Sequence, residues 1–324
     1  MHIIHTHFHP RRTGITVHVE EIVSALADLG LNARAFGPAL SEGTPQVDWK
    51  QILQRLEEGT PVLWHAHRPP ALRQGIRLRN RFPHLRVVWT HHGWKTPGWL
   101  TRTAIKKADG LVALTPTGQN QLPVDSVLIP HGTHMGALHP CPGPPFLVGV
   151  LGRIRPDKGH QDITDAFLSV AKEYPEWQLV FYGDIRPVHR RFARGILAQG
   201  EGSIGLRPYV VDKTAAYRQL SIVVVPSHAE GFSLVVPEAL AAGRALLAAR
   251  LPHFPTLFKE DVHALCFEPG NSEALAHQLR RLFSDPKLRE KLATQGRQHA
   301  HSNLQLSKEA ESLANLYAEL LNRS

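Results

Sequence analysis

The chain has 324 residues, 42% of them hydrophobic and 20% charged, which is the balance of a soluble globular protein with apolar material for two cores. This excludes intrinsic disorder, and the most apolar stretch, residues 234–251, is broken by Pro237, Glu238, Gly243, Arg244 and Arg250, so no membrane span is expected. A net charge of +9 beside 21 histidines points to anionic ligands or anionic lipid headgroups.

The two cysteines, Cys141 and Cys266, lie far apart and lack metal-ligand spacing, so neither a disulfide framework nor a thiolate zinc site is indicated. The N-terminal stretch MHIIHTHFHPRR has no basic leader ahead of an apolar run, and a cytoplasmic address is expected.

In chain order, the first half offers the strands HIIHTHF (2–8), PVLWHAH (61–67), LRVVWTHH (85–92), GLVALT (110–115) and SVLIPHG (126–132). Between the first two, Val19, Ile22, Val23, Leu26 and Leu29 share one helical face ahead of Gly30. The basic residues gather in 71–86, 101–107 and 185–194. The segment LHPCPGPPF (138–146) carries four prolines without periodicity and marks a linker, centred on 140–145.

A second alternation follows, with strands FLVGVLGR (146–153), WQLVFYGD (177–184), SIVVVPS (221–227), RALLAAR (244–250) and HALCFEPG (263–270), and then a helical tail from Asn271. Short apolar runs joined by helices imply parallel sheets, hence an α/β class with two doubly wound domains, 1–139 and 146–305. Such a pair binds ligands at its strand ends. The last stretch, 306–324, reads as a helix returning to the first domain.

Two turns in the second half suit anions. In LGRIRPDKGHQD, Gly152, Arg153, Lys158 and Gly159 lie between a strand and a helix, where free backbone amides and full positive charges meet. In HAEGFSLVVPEALAAG, residues 231–235 (Gly231, Phe232, Ser233, Leu234 and Val235) can present amides at the next helix start, flanked by Glu230 and Glu238. A carboxylate accepts hydrogen bonds in pairs and suits a vicinal diol. On spacing alone both glutamates also fit solvated positions.

GRIRPDKG together with SHAEGFSLVVPEALAAG resembles the group-one family of retaining glycosyltransferases with the GT-B fold. WHAH (64–67), WTHHG (89–93), KADGLVALT (107–115), LIPHG (128–132), YGD (182–184) and the FEPGNSEALAHQLRRLFSDP ending fall in the family's order. The resemblance implies a nucleotide-sugar donor, with Arg153 and Lys158 on its diphosphate, Glu230 on a sugar hydroxyl and Glu238 on the ribose. It further implies that Gly152, Gly183 and the amides of 231–235 line the donor, that the backbone around Arg207 in GLRPYV frames the base, and that Gly14 and His92 face it from the first domain. His91 is the alternative to His92. Gly14 stands alone where many members have a glycine pair, and His131-Gly132 replaces the usual Asn-Gly.

The loop RRTGIT resembles RR-x-G-V-T of bacterial mannosyltransferases of the lipopolysaccharide core. It implies GDP-mannose as donor and a lipopolysaccharide-core or related envelope glycan as acceptor, with a UDP-sugar donor as the alternative. The family lacks an Asp-x-Asp metal signature here, so neither metal nor cofactor is expected. Arg77, Arg79, Arg81, Arg86, Lys106 and Lys107 suit an anionic bilayer, and Trp94 and Trp99 either pack in the first domain or sit at that interface. A nucleotide-sugar epimerase and a basic nucleic-acid module are the rival readings. The latter lacks a stacking motif, so no nucleic acid is expected.

Overall fold

The computed structural model describes residues 2–200, 202–208 and 213–322. The chain divides into two compact units, 1–132 with 305–324, and 133–304. The segment 140–145 is coil inside the second unit.

In the first unit β1 (His2–Thr6), β2 (Ala33–Phe36), β3 (Val62–Ala66), β4 (Arg86–His91), β5 (Gly110–Ala113) and β6 (Val127–Leu128) form a parallel sheet in the order β2-β1-β3-β4-β5-β6. Its helices are α1 (Gly14–Asp28), α2 (Trp49–Glu57), α3 (Pro69–Arg81), α4 (Trp99–Ile105) and α5 (Pro116–Gln119), with α12 (Leu306–Asn322) from the end of the chain. The period-2 alternation of buried strands divides their side chains between two cores. Ile4, Val62, Trp64, Val87, Trp89 and Leu111 point to one face, Ile3, Leu63, Val88 and Val112 to the other. The second face is covered by α1 through Val19, Ile22, Val23 and Leu26, and by α12 through Leu313, Leu316, Tyr317 and Leu320. Thr13 caps α1 and forms a reciprocal capping box with Thr16, which sets where the helix leaves the loop after β1.

The second unit holds β7 (Phe146–Leu151), β8 (Trp177–Tyr182), β9 (Ile204–Arg207), β10 (Ile222–Val225), β11 (Ala245–Ala249) and β12 (Ala264–Phe267), with α6 (His160–Ala171), α7 (Arg190–Ala198), α8 (Lys213–Gln219), α9 (Val235–Ala241), α10 (Ser272–Ser284) and α11 (Pro286–Asn303). The sheet order is β12-β11-β10-β7-β8-β9. The order therefore reverses between β7 and β10, and chains leaving the carboxyl ends of these two neighbours diverge, opening a crevice at that point of the sheet. The edge strands β2 and β9 have no counterpart among the strands expected from sequence. Each has four residues, ARAF and IGLR, too short and too poor in β-branched residues to stand out.

One buried cation secures the end of α10. Arg289 lies 5.1 Å from the Trp177 ring centroid and donates to the carbonyls of Leu282 and of Phe283, the latter at 3.1 Å, while Trp177 stacks on Phe283 at 4.1 Å. Arg289→Ala removes the charged donor from two carbonyls at a helix end. A loss of about 2–4 kcal/mol in urea unfolding is expected, and Arg289→Lys, which keeps the charge and a donor, should recover part of it.

Candidate active site

The crevice of the second unit is built from the turns after β7 and β10. After β7 the chain passes Gly152 and Arg153, makes one 3-10 turn over Pro156–Lys158, and enters α6 through Gly159, which is left-handed at φ 66°. A Cβ on Gly159 would fall 1.9 Å from the Pro226 carbonyl oxygen, so only glycine lets this turn rest on the end of β10. A Cβ on Gly183 would likewise lie 2.0 Å from the Gly152 oxygen, which presses the turn after β8 against the turn after β7. The His228 amide donates to the Asp157 carbonyl at 3.1 Å and ties the two main turns together.

That closeness brings Lys158 and Glu230 into an ion pair, with side chains 21% and 13% exposed. Ser227 Oγ donates to the same Glu230 oxygen at 2.7 Å. Arg153 is exposed at the mouth of the same turn. Glu238 lies one turn into α9 with partners of its own: it pairs with Lys213 and accepts from the Tyr217 hydroxyl at 2.7 Å. Burial, and then the neighbouring Glu238 carboxylate, push the Tyr217 hydroxyl well above its ordinary pKa, so it stays a donor.

In the segment 231–235, the Phe232 ring is core at 4% exposure and its backbone hydrogen-bonds the His253 side chain. Ser233 adopts φ 72°. Arg207 is exposed, donates to Gln219 at 3.1 Å and lies 5.9 Å from the Tyr182 ring centroid. Tyr209 and Val210 of GLRPYV lie outside the described residues. Ser227, Lys213 and Tyr217 are additions to the residues singled out from sequence, as is His228, whose Nε2 pairs with Asp162 at 2.5 Å. Ser227 lies only three positions before Glu230, whereas the tertiary fold alone brings Lys213 and Tyr217 of α8 to Glu238.

In the first unit Gly14 is the first residue of α1. His91 turns to Gln121 at 3.4 Å, whereas both ring nitrogens of His92 are engaged by other histidines. His67 Nδ1 lies 2.9 Å from His92 Nε2, and His92 Nδ1 lies 3.3 Å from His131 Nε2. The series extends in both directions. His131 Nδ1 meets Glu309 Oε1 at 2.9 Å; on the other side His67 Nε2 meets His5 Nδ1 at 3.0 Å, His5 Nε2 meets the Tyr317 hydroxyl at 3.1 Å, and Tyr317 meets His65 Nδ1 at 2.6 Å. Thr90 closes it on His65 Nε2 at 2.7 Å. Two triplets here, His5 with His65 and His67, and His18 with His131 and Glu309, bring ligand-type atoms within 4.8 Å of one another. The hydrogen-bonded series already satisfies the atoms through which these residues meet.

The signal for this network was present as spacing. His5 in HTH, His65 and His67 in HAH, and Thr90 and His92 in THH each lie on the face that also carries Ile3, Leu63 and Val88. Burial drives the His5 imidazole down to about 3 and His131 to about 4, and holds His65, His67 and His92 well below the ordinary value. Burial alone would raise the Glu309 carboxyl. His18 and His131, by charge and hydrogen bond, outweigh it and hold Glu309 below the usual carboxylate range.

The unfolded chain titrates these imidazoles near 6.5, so the unfolded state binds more protons as the pH falls below that value. The stability they contribute is complete above about pH 6.5 and is lost towards their folded values, with a slope of up to about 1.4 kcal/mol per pH unit for each histidine. The thermal midpoint should therefore fall steeply between pH 6.5 and 4.5. A flat midpoint across that range in scanning calorimetry contradicts a neutral buried network.

A family model described as "Glycosyl transferases group 1" matches residues 139–299. The "Lipopolysaccharide core biosynthesis mannosyltransferase LpcC" of Rhizobium leguminosarum bv. viciae is 28% identical over 99% of this chain and 98% of its own, and LpsB of Rhizobium meliloti (strain 1021), of the same description, is 24% identical over 98% and 97%. Among solved structures, sucrose-phosphate synthase from Thermosynechococcus elongatus matches with a TM-score of 0.80 at 18% identity over 100% of both chains. Anabaena Alr3699/HepE in complex with UDP and glucose matches with 0.78 at 16% over 98% and 99%. Two six-stranded parallel sheets with flanking helices give the chain the GT-B fold of these structures, and residues 139–299 are a group 1 glycosyltransferase domain.

Proposed function

We propose that the protein is a retaining, metal-independent mannosyltransferase that takes mannose from GDP-mannose and places it on a lipopolysaccharide core or a related cell-envelope glycan. The observation that carries this is the Lys158–Glu230 pair at the reversal point of the second sheet, in a chain that two lipopolysaccharide core mannosyltransferases match from end to end. The RRTGIT loop of the first unit supports the same donor.

The costly step is departure of the nucleoside diphosphate from the anomeric carbon. Arg153 and Lys158 offset the charge that develops on the diphosphate, and backbone amides of 231–235 assist. Glu230 accepts from a donor-sugar hydroxyl and orients the ring, and Glu238 accepts from the ribose diol once Lys213 and Tyr217 share it. The acceptor hydroxyl attacks the anomeric carbon on the face the diphosphate leaves, its C–O bond forming as the sugar–phosphate bond breaks, and its proton passes to a donor phosphate oxygen. Glu230 is a binding group in this scheme, not a nucleophile.

A surface of the first unit suits a membrane-borne acceptor. Trp99 is 75% exposed, Leu100 56% and Trp94 49%, so the tryptophans do not pack into the core, and Arg102, Lys106 and Lys107 are exposed beside them. Aromatic and leucine side chains flanked by cations favour the boundary of an anionic bilayer. Arg79 contributes less, because it is tied to Asp109 at 2.8 Å.

Lys158→Ala and Glu230→Ala should each reduce transfer at least a hundredfold while leaving the melting curve cooperative; wild-type turnover in either refutes the site. A thermal-shift screen of GDP-, UDP-, ADP- and CMP-sugars should show stabilisation by GDP-mannose above the rest, and preference for a UDP-sugar would move the protein to another envelope pathway. Trp99→Ser with Leu100→Ser should weaken binding to phosphatidylglycerol vesicles about tenfold or more.

A further inference from the structure

We propose that Glu309 is a positioning residue for His92: through His131, its carboxylate imposes one donor direction on the buried histidines and presents His92 as the Nδ1–H tautomer with Nε2 as acceptor. The argument is proton counting. A carboxylate only accepts, and Glu309, 6% exposed, receives His131 Nδ1 at 2.9 Å and His18 Nε2 at 2.8 Å on Oε1, and the Gly132 amide at 2.7 Å on Oε2. His131 must therefore carry its hydrogen on Nδ1. A neutral imidazole has one hydrogen, so His131 Nε2 is a lone pair and His92 must donate to it from Nδ1. The same step repeats: His92 Nε2 accepts from His67 Nδ1, His67 Nε2 from His5 Nδ1, and His5 Nε2 from the Tyr317 hydroxyl. Tyr317 in turn accepts from His65 Nδ1, and His65 Nε2 from Thr90.

With every ring neutral, as their burial requires, this is the one arrangement that makes all of these bonds. Protonating His92 would reverse every bond from His67 to Thr90. His92 is the member of the series that is partly exposed. It thus meets a ligand as a neutral acceptor, to which a sugar hydroxyl can donate in place of His67 and to which a phosphate oxygen cannot. The ligand part of this inference rests on the family resemblance, which implies that His92 faces the donor.

The test uses the full-length protein labelled with 15N-histidine, the His92→Gln variant identifying the His92 signals. Free histidine favours the Nε2–H form, so the expected Nδ1–H signature at His92, His131, His67, His5 and His65 at pH 7 is diagnostic. An Nε2–H or doubly protonated His92 overturns the proposal. Glu309→Gln supplies a second arm. The backbone N–H of Gly132 can only donate, so the amide oxygen must face it and the NH2 must face His131, which then accepts on Nδ1. His131 and His92 should switch to Nε2–H in this variant, an effect that loss of packing alone does not produce. Unchanged tautomers in a folded Glu309→Gln protein overturn the proposal; if that variant does not fold, the wild-type spectrum decides. Adding GDP-mannose, with GDP as control, separates the two claims. Sugar-dependent shifts at His92 Nε2 support its placing, and their absence removes His92 from the donor site while the tautomers still judge Glu309.

Discussion

A parallel strand covered by helices on both faces can offer chemistry only at its carboxyl end, and this constraint governs both units. In the second unit the reversal of strand order places the ends of β7 and β10 side by side, and the candidate residues Lys158 and Glu230 come from the two turns that leave there. Their spacing is set by glycine. Because the Gly159 Cα comes close against the Pro226 carbonyl, Lys158 and Glu230, seventy-two positions apart in sequence, become direct partners.

The first unit meets the same constraint in another way. Its strands carry polar residues into a buried face, where each unpaired nitrogen would cost one to several kcal/mol. The cost is avoided by joining them to one another and to Tyr317 and Glu309 on α12, so the last helix of the chain completes the polar interior of the first unit. Removing α12 would expose an apolar face and also strand a row of imidazoles.

Much of this was legible in the sequence because it depends on local rules. Alternating apolar runs and helical faces give the α/β class, and the glycine-bearing turns after two strands single out Lys158 and Glu230, which the fold brings together. What stayed hidden was tertiary. The edge strands β2 and β9 are short and weakly patterned, and nothing in EALAAG says that Glu238 faces Lys213 and Tyr217 on α8. The alternation of polar residues was visible as His-x-His in HTH and HAH and Thr-x-His in THH, but the carboxylate that orders those rings lies more than two hundred residues away on α12.

The Lys158–Glu230 ion pair also bears on selectivity. An anion that draws Lys158 to itself strips Glu230 of its counter-charge and leaves a largely buried carboxylate with the Ser227 hydroxyl as its remaining hydrogen-bond donor among the described residues. Inorganic phosphate offers nothing to replace what it takes. In the proposed reaction a nucleotide sugar does, because the molecule that brings the diphosphate to the lysine also brings a hydroxyl to the glutamate. Under the proposed function the pair is a coincidence requirement, admitting at low cost only a ligand that carries both groups at once.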